Sequence, residues 1–274
     1  MNLVLSDLHT HTRHCDGQNT AEQMAAAALA AGMTDYGFSC HGRTPFDPAH
    51  SLQNEEDYVR DIRALQKQYE GRLRIYCGVE QDFYAPVEKR DRFDYLIASL
   101  HHYKDEQNDT YYCLDTTPEE LDLCIRQCFG DDPYRLAQTY YALEAENVLQ
   151  NRPDIIAHFD LIIKNNQANR FFNETDVRYR NAALESVVAC LAVDAPFELN
   201  SGAIFRAYRE TPYPADFLLR EILQRGGRVC LSSDAHATDA IGFRFAEGLE
   251  LLRTIGFRSV AVWRNGRFEE QGIL

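Results

Sequence analysis

Short apolar runs punctuate the chain at residues 3–5, 36–39, 73–79, 95–99, 155–157, 197–199, 229–231 and 259–263. Each has the length of a buried strand. The stretches between them read as helices, at 20–31, 55–69, 118–128, 133–149, 177–193, 215–224 and 243–255. Gly32 ends the first of these, and Pro118 and Pro133 stand where a first helical turn tolerates proline. Strands that alternate with helices predict a parallel sheet. Seven or eight such units close into a barrel more readily than they form an open sheet. No glycine-rich loop follows any strand, so a dinucleotide-binding fold has no support. The least regular segments are 104–117, read as a loop or small hairpin inserted after a strand, and 165–176. Neither is a linker, so residues 1–274 are expected to form one domain.

This periodicity locates the chemistry. Six of the nine histidines follow directly on apolar runs: His9, His11, His41, His101, His158 and His236. Glu80 and Asp234 hold the same kind of position. In a parallel barrel the C-terminal strand ends converge on one face, so residues distant in sequence meet there. A ring of imidazoles and carboxylates is a ligand set for Zn, Mn or Fe. His9 and His11 are alternate residues of one strand and share a face, so both can grip one ion. Asp234 and His236 repeat that spacing.

Charge narrows the ligand class. The net charge is -14, from 28 Lys+Arg and 42 Asp+Glu, and no basic run occurs. A polynucleotide or an anionic membrane is therefore not an expected partner. A small anionic substrate stays open, because bound cations reverse the local field. Arg206, Arg209 and Lys164 follow strand ends on the same face and are candidate phosphate contacts. The eight cysteines are dispersed without a CxxC pair, which fits reduced thiols. The N-terminus has no basic region, and the longest apolar stretch, at 24–33, is too short to span a bilayer. A cytoplasmic protein is expected.

Seven stretches, in order, resemble one family: DLHTHTRHCDG at 7–17, SCHG at 39–42, GVEQDF at 78–83, SLHH at 99–102, AHFDLI at 157–162, ELNSG at 198–202 and SSDAH at 232–236. The chain resembles the PHP (polymerase and histidinol phosphatase) family, in its histidinol-phosphatase branch. The resemblance implies an α/β fold, a distorted (β/α)7 TIM-like barrel with a cluster of two to three divalent metals (Zn, Mn or Fe) at the C-terminal end of the strands. It assigns His9, His11, Glu80 and Asp234 to one metal, and Glu80, as a bridge, with His101 and His158 to a second. Asp16, His41 and His236 would hold a third. Departures are Cys40, where the family usually has Asp before the histidine, and His14, which competes with Asp16 as a ligand. His102 neighbours His101 on its strand, so only one of the two should face the metals.

The implied reaction is hydrolysis of L-histidinol phosphate to L-histidinol and phosphate, a step of histidine biosynthesis. Glu80, Asp234 and Arg206 would be catalytic, and Arg206, Arg209 and Lys164 would bind substrate. Besides a metal-dependent amidohydrolase on an eight-stranded barrel, two alternatives remain at this stage. One is a phosphatase or phosphodiesterase of the same scaffold acting on another small ester or a nucleotide. The other is a non-catalytic metal-binding accessory module. The sequence leaves the oligomeric state open.

Overall fold

The structure is a computed structural model that describes residues 6–273. The strand expected at 3–5 lies outside the described residues. In chain order the elements are β1 (Ser6–Asp7), α1 (Ala21–Ala30), β2 (Asp35–Phe38), α2 (Glu55–Gln68), β3 (Arg74–Asp82) and β4 (Tyr95–Ser99). The hairpin β5 (His102–Asp105) and β6 (Thr110–Cys113) follows, then α3 (Pro118–Phe129), α4 (Pro133–Asn151) and β7 (Ile155–Ile156). The chain ends with α5 (Val177–Cys190), β8 (Phe197–Asn200), α6 (Gly202–Phe205), α7 (Asp216–Gln224), β9 (Val229–Ser232), α8 (Phe245–Ile255), β10 (Ser259–Arg264) and β11 (Arg267–Gly272).

Helix starts are set locally. Thr20 and Gln23 form a reciprocal capping box on α1. Asn54, Thr117, Asp132 and Asp176 accept first-turn amides of α2, α3, α4 and α5.

Seven strands pair in the order β1-β2-β3-β4-β7-β8-β9, all parallel. The ring closes just beyond the two end strands, where Thr10 bridges Ala235. There the His11 amide donates to the Ala235 carbonyl at 2.8 Å, and the Ala235 amide to the His9 carbonyl at 3.2 Å. Buried Asp7 reinforces the seam by accepting from the Ser233 and Gly242 amides. The eighth apolar run does not join the ring. It forms β10, which pairs antiparallel with β11 and lies against β1 and β9. Trp263 of this hairpin meets Tyr76 edge-on at 5.8 Å, and its amide donates to Ser6 Oγ, near the strand starts. One end of the barrel is thereby plugged, and the other is left for chemistry.

Tyr95 fills the barrel interior. Its hydroxyl donates to the carbonyls of Leu8 and Phe38, on two other strands' segments. Glycine at 78 is required by this approach, since a Cβ there would lie 2.2 Å from the Tyr95 ring. Outside the barrel, the inserted segment is the hairpin β5–β6, followed by α3 and α4 before the sheet resumes at β7.

Helix α4 buries a carboxyl group against the barrel. Glu144 is 2% exposed, accepts from Tyr140 Oη at 3.0 Å, and has a second oxygen without a partner. Burial raises its pKa from 4.5 to about 8. Between those values the unfolded chain has lost the proton while the folded chain keeps it. Stability therefore falls as pH rises through this window, by at most about 1.4 kcal/mol per pH unit. Glu144→Gln is expected to flatten that slope and raise Tm near pH 8. Thermal melts of both proteins across the window check this, and superimposable Tm–pH curves would refute it.

Candidate metal centre and cleft

The open end of the barrel collects side chains from every barrel strand or the segment after it. β1 runs on into His9 and His11, β2 into His41, β4 into His101, β7 into His158, and β9 into Asp234 and His236, while Glu80 lies within β3. The turn after His11 is tight. The Cys15 and Gly17 amides both donate to the Thr12 carbonyl at 3.0 Å, and a Cβ at Gly17 would lie 2.5 Å from the Thr12 nitrogen. This turn folds Asp16 back over His11. Asp234 has φ +50, a left-handed conformation that few non-glycine residues adopt.

Glu80 is the centre of the cluster. Its Oε2 lies 3.1 Å from His9 Nε2, 3.5 Å from His11 Nε2 and 3.0 Å from His41 Nδ1. Its Oε1 lies 3.1 Å from His158 Nε2 and 3.4 Å from His101 Nε2. Asp234 Oδ1 is 3.3 Å from His11 Nε2 and 3.7 Å from His9 Nε2. Asp16 Oδ2 is 3.2 Å from His236 Nε2 and 3.8 Å from His41 Nε2. Four overlapping ligand groups result: His11–Asp16–His41–His236, His9–His11–Glu80, His9–His158–Asp234 and His41–Glu80–His101.

The donor set fits divalent cations. His9 Nε2, His11 Nε2, Glu80 Oε2 and Asp16 Oδ1 are buried without hydrogen-bond partners, although they crowd together. Desolvated polar atoms left in that condition are costly unless a cation takes their lone pairs.

Charge states point the same way. Burial would raise the Glu80 carboxyl, but His9, His41 and His101 hold it well below the usual range. Burial likewise opposes ionisation of Asp234, and Arg206 and His9 overcome it. Burial would lower His41, yet Glu80 and Asp16 raise it to about 10. His9 is raised in the same sense, against its burial, by Glu198 and Glu80. Protons and metal ions compete for these imidazole lone pairs, so cation uptake releases protons.

The other expected residues separate. His14 turns away to Asp61 at 3.3 Å and meets the Tyr58 ring edge-on. Cys40 is buried with Sγ 3.2 Å from Thr12 Oγ1, outside all four ligand groups. His102 points to Asp82 and Asp47. Arg206, at the end of the four-residue α6, lines the cleft and donates to Asp234 Oδ2 at 2.8 Å and to the Asp234 carbonyl at 2.9 Å. Lys164 also lines the cleft, with Nζ 2.8 Å from Asp115 Oδ2 and 4.8 Å from the Tyr208 ring centroid. Arg209 does not line it. Its guanidinium donates to the Ile163 carbonyl at 2.8 Å and faces Glu174 at 3.5 Å, so it ties two loops together.

Sequence reasoning missed three carboxylates that act on this site. Glu198 accepts from His9 Nδ1 at 2.7 Å and from Asn200 Nδ2 at 3.1 Å, which orients the imidazole. Asp82 accepts the His101 amide at 2.9 Å and faces the His102 ring. Asp115, just after β6, reaches Lys164. A signal existed for Glu198: a carboxylate inside the apolar run at 197–199 is buried and requires a partner.

A nearly closed barrel of seven parallel strands, with a His/Asp/Glu cluster and the basic side chains of Lys164 and Arg206 at its open end, defines a metal-dependent hydrolase of the TIM-like class. The chain belongs to the PHP domain family, whose model matches residues 7–195. A relative in Deinococcus radiodurans, named "Probable histidinol-phosphatase", is 30% identical over 269 residues, covering 93% of this chain and 95% of the relative. A solved structure from Listeria monocytogenes matches with a TM-score of 0.77 at 18% identity, over 89% of this chain and 99% of its own. The histidinol phosphate phosphatase of Lactococcus lactis, solved with zinc, L-histidinol and phosphate, matches with a TM-score of 0.68 at 18% identity, over 96% of this chain and 98% of its own. Among the described residues no helix is long and apolar enough to cross a membrane.

Two substitutions test the geometry. Glu198→Gln is expected to lower metal affinity by roughly 10–100-fold, the usual cost of losing a carboxylate that orients a ligating imidazole. Asp16→Ala should lower metal content, whereas His14→Ala should not. Elemental analysis and competition with a chromogenic chelator measure both, and the reverse ranking of Asp16 and His14 would move the ligand to His14.

Proposed function

We propose that residues 1–274 act as one metal-dependent phosphatase domain that hydrolyses L-histidinol phosphate to L-histidinol and phosphate. The observation that carries this reading is the placement of Arg206 and Lys164 in the cleft lined by Glu80 and its histidines. Metal ligation and anion recognition therefore meet in one cavity. The names of the relatives supply the substrate.

In this reading two to three divalent ions (Zn, Mn or Fe) would be held by His9, His11, Asp16, His41, Glu80, His101, His158, Asp234 and His236. When bound, such cations polarise phosphoryl oxygens and bring the pKa of a water to roughly 7. The chain's own residues do the rest. Glu80 would serve two ligand groups, because its oxygens face different histidines: Oε2 meets His9 and His41, and Oε1 meets His101 and His158. Arg206 and Lys164 grip the phosphate and offset the charge that grows on its oxygens. Asp234 turns Oδ2 to Arg206 and Oδ1 to His9 and His11, and in this reading Asp234, or a water beside it, passes a proton to the oxygen of the leaving alcohol. Hydrogen-bond reach from His9 Nδ1 to Glu198 keeps Nε2 turned inward. A cytoplasmic location and a place in histidine biosynthesis accompany this activity.

Phosphate release from a panel of small phosphomonoesters, by chelator-treated protein reloaded with Zn, Mn or Fe, tests the proposal. L-Histidinol phosphate is expected to show the highest kcat/KM, and metal-free protein to be inactive. Equal kcat/KM for histidinol phosphate and p-nitrophenyl phosphate would refute the substrate assignment. Lys164→Ala should lower kcat/KM by roughly tenfold with metal content intact, as expected for one charged hydrogen bond. Arg206→Ala should cost more, because Arg206 also holds Asp234.

A further inference from the structure

The buried face of α4 is apolar at its ends and polar in its middle. Leu136, Ala137, Tyr141 and Val148 pack into the core, and among them Tyr140, Glu144 and Asn147 are 1%, 2% and 0% exposed. These three stand at i, i+4 and i+7, one stripe of the helix. Buried polar groups of this kind are costly unless their atoms hold something.

The stripe holds the chain beside two of the histidines. Asn147 Nδ2 donates to the Ser99 carbonyl at 2.9 Å. The Ser99 hydroxyl donates to the Gln81 carbonyl at 3.1 Å, so its oxygen is left to accept from His101 Nδ1, 3.3 Å away. Tyr140 Oη lies 3.0 Å from Glu144 Oε1 and 3.3 Å from the carbonyl of Phe159, the residue after His158. His101 and His158 are neighbours, with ring centroids 5.1 Å apart, and both turn Nε2 to Glu80 Oε1. Their Nδ1 atoms are the outer ones. That of His101 meets Ser99, whereas that of His158 is buried without a partner, and so is Glu144 Oε2. The two groups sense each other: burial opposes ionisation of the Glu144 carboxyl, and Tyr140 and then His158 act against burial.

We propose that the Tyr140–Glu144–Asn147 stripe positions the His101–His158 pair from outside the barrel, with Asn147 acting through Ser99 on His101 and Glu144 supplying the acceptor for the Nδ1–H of His158. This rests on the metal-centre reading above and names residues that set one part of it. An imidazole that binds a cation through Nε2 carries its proton on Nδ1, and an acceptor there fixes both the tautomer and the ring. Glu144 Oε2 is an acceptor with no other partner, and a buried water or a rotation of its side chain joins it to His158. A carboxyl that costs the fold stability is thereby retained for the sake of a ligand. Tyr140 keeps it in place, since one hydroxyl touches both the carboxyl and the segment of His158.

Zinc titration of the chelator-treated full chain, in competition with a chromogenic chelator, tests this. His101→Ala and Asp16→Ala mark which binding step belongs to which ligand group. Glu144→Met is expected to weaken the step that His101→Ala removes by roughly 10–100-fold and to leave the step that Asp16→Ala removes unchanged. The same variant should melt at a higher temperature, because it replaces a buried carboxyl by an apolar chain of similar length. Opposite signs for stability and affinity separate positioning from a role in the core alone. Glu144→Gln keeps an oxygen for the Nδ1–H and should restore most of the affinity. In zinc-loaded protein labelled with 15N-histidine, the His158 Nδ1–H should be protected from exchange in wild type and Glu144→Gln and exposed in Glu144→Met. If Glu144→Met does not fold, Tyr140→Phe, which removes one hydroxyl, should show the same selective loss. Unchanged zinc affinity in the variants, or equal weakening of both steps, overturns the stripe while a wild type with two or more zinc ions keeps the metal centre. A wild type that binds less than one zinc per chain overturns the metal centre and the stripe with it.

Discussion

Glu80 is the carboxylate on which the architecture of this protein turns. It is buried, and both of its oxygens face imidazoles delivered by four other strands. An ionised carboxylate in that position is stable only if surrounding charge compensates its lost hydration. The histidines do so when protonated and would do so better by sharing cations with it. That demand explains several features at a distance. Glu198 fixes the outer nitrogen of His9, Asp82 fixes the backbone of His101, and Asp7 clamps the seam between the first and last barrel strands. Each is a buried acid whose oxygens are used to hold a ligand or the closure beneath it.

The barrel assigns stability and chemistry to opposite ends. Trp263 of the β10–β11 hairpin packs under the strand starts against Tyr76 and Tyr95, with Phe268 of β11 beside it. The strand ends are free to carry polar groups because nothing apolar has to cover them. Parallel strands make this division natural, since every strand points the same way and each loop at the open end is a separate place to add a residue. Asp47 and Asp115 come from two such additions. One is the segment after β2 and the other the hairpin after β4, and the Phe46–Tyr111 stack joins them. Apart from Asp16, the candidate metal ligands sit on strands or close behind them, whereas Asp47 and Asp115 sit on the added loops. The acidic net charge thus coexists with two basic side chains, Lys164 and Arg206, in one cleft, because the positive charge is local.

Much of this could be read from the order of residues alone. Six of the eight apolar runs correspond to barrel strands, because strands buried on both faces are written as continuous apolar segments, and the run at 3–5 lies outside the described residues. The pairs His9 with His11 and Asp234 with His236, and Glu80 behind the run at 73–79, were visible without knowledge of partners, although β3 extends through Glu80 and Asp234 lies beyond β9 in a left-handed conformation. Other features were not readable. The run at 259–263 has the composition of a barrel strand, yet it pairs with β11, because the ring had already closed between Thr10 and Ala235. Asp16 and His14 are two residues apart and chemically equivalent as candidates; the tight turn at Gly17 directs one inward and the other to Asp61. Arg209 and Lys164 looked alike as strand-end cations, and only the loops around them make one a tie and the other part of the cleft. Glu198 meets its histidine across 189 residues of chain. Local order determines which residues can form a strand, a cap or a paired ligand, since those depend on neighbours a few bonds away. Which charges meet is decided by closure of the barrel, since burial leaves each polar atom only the partners that distant segments bring to it.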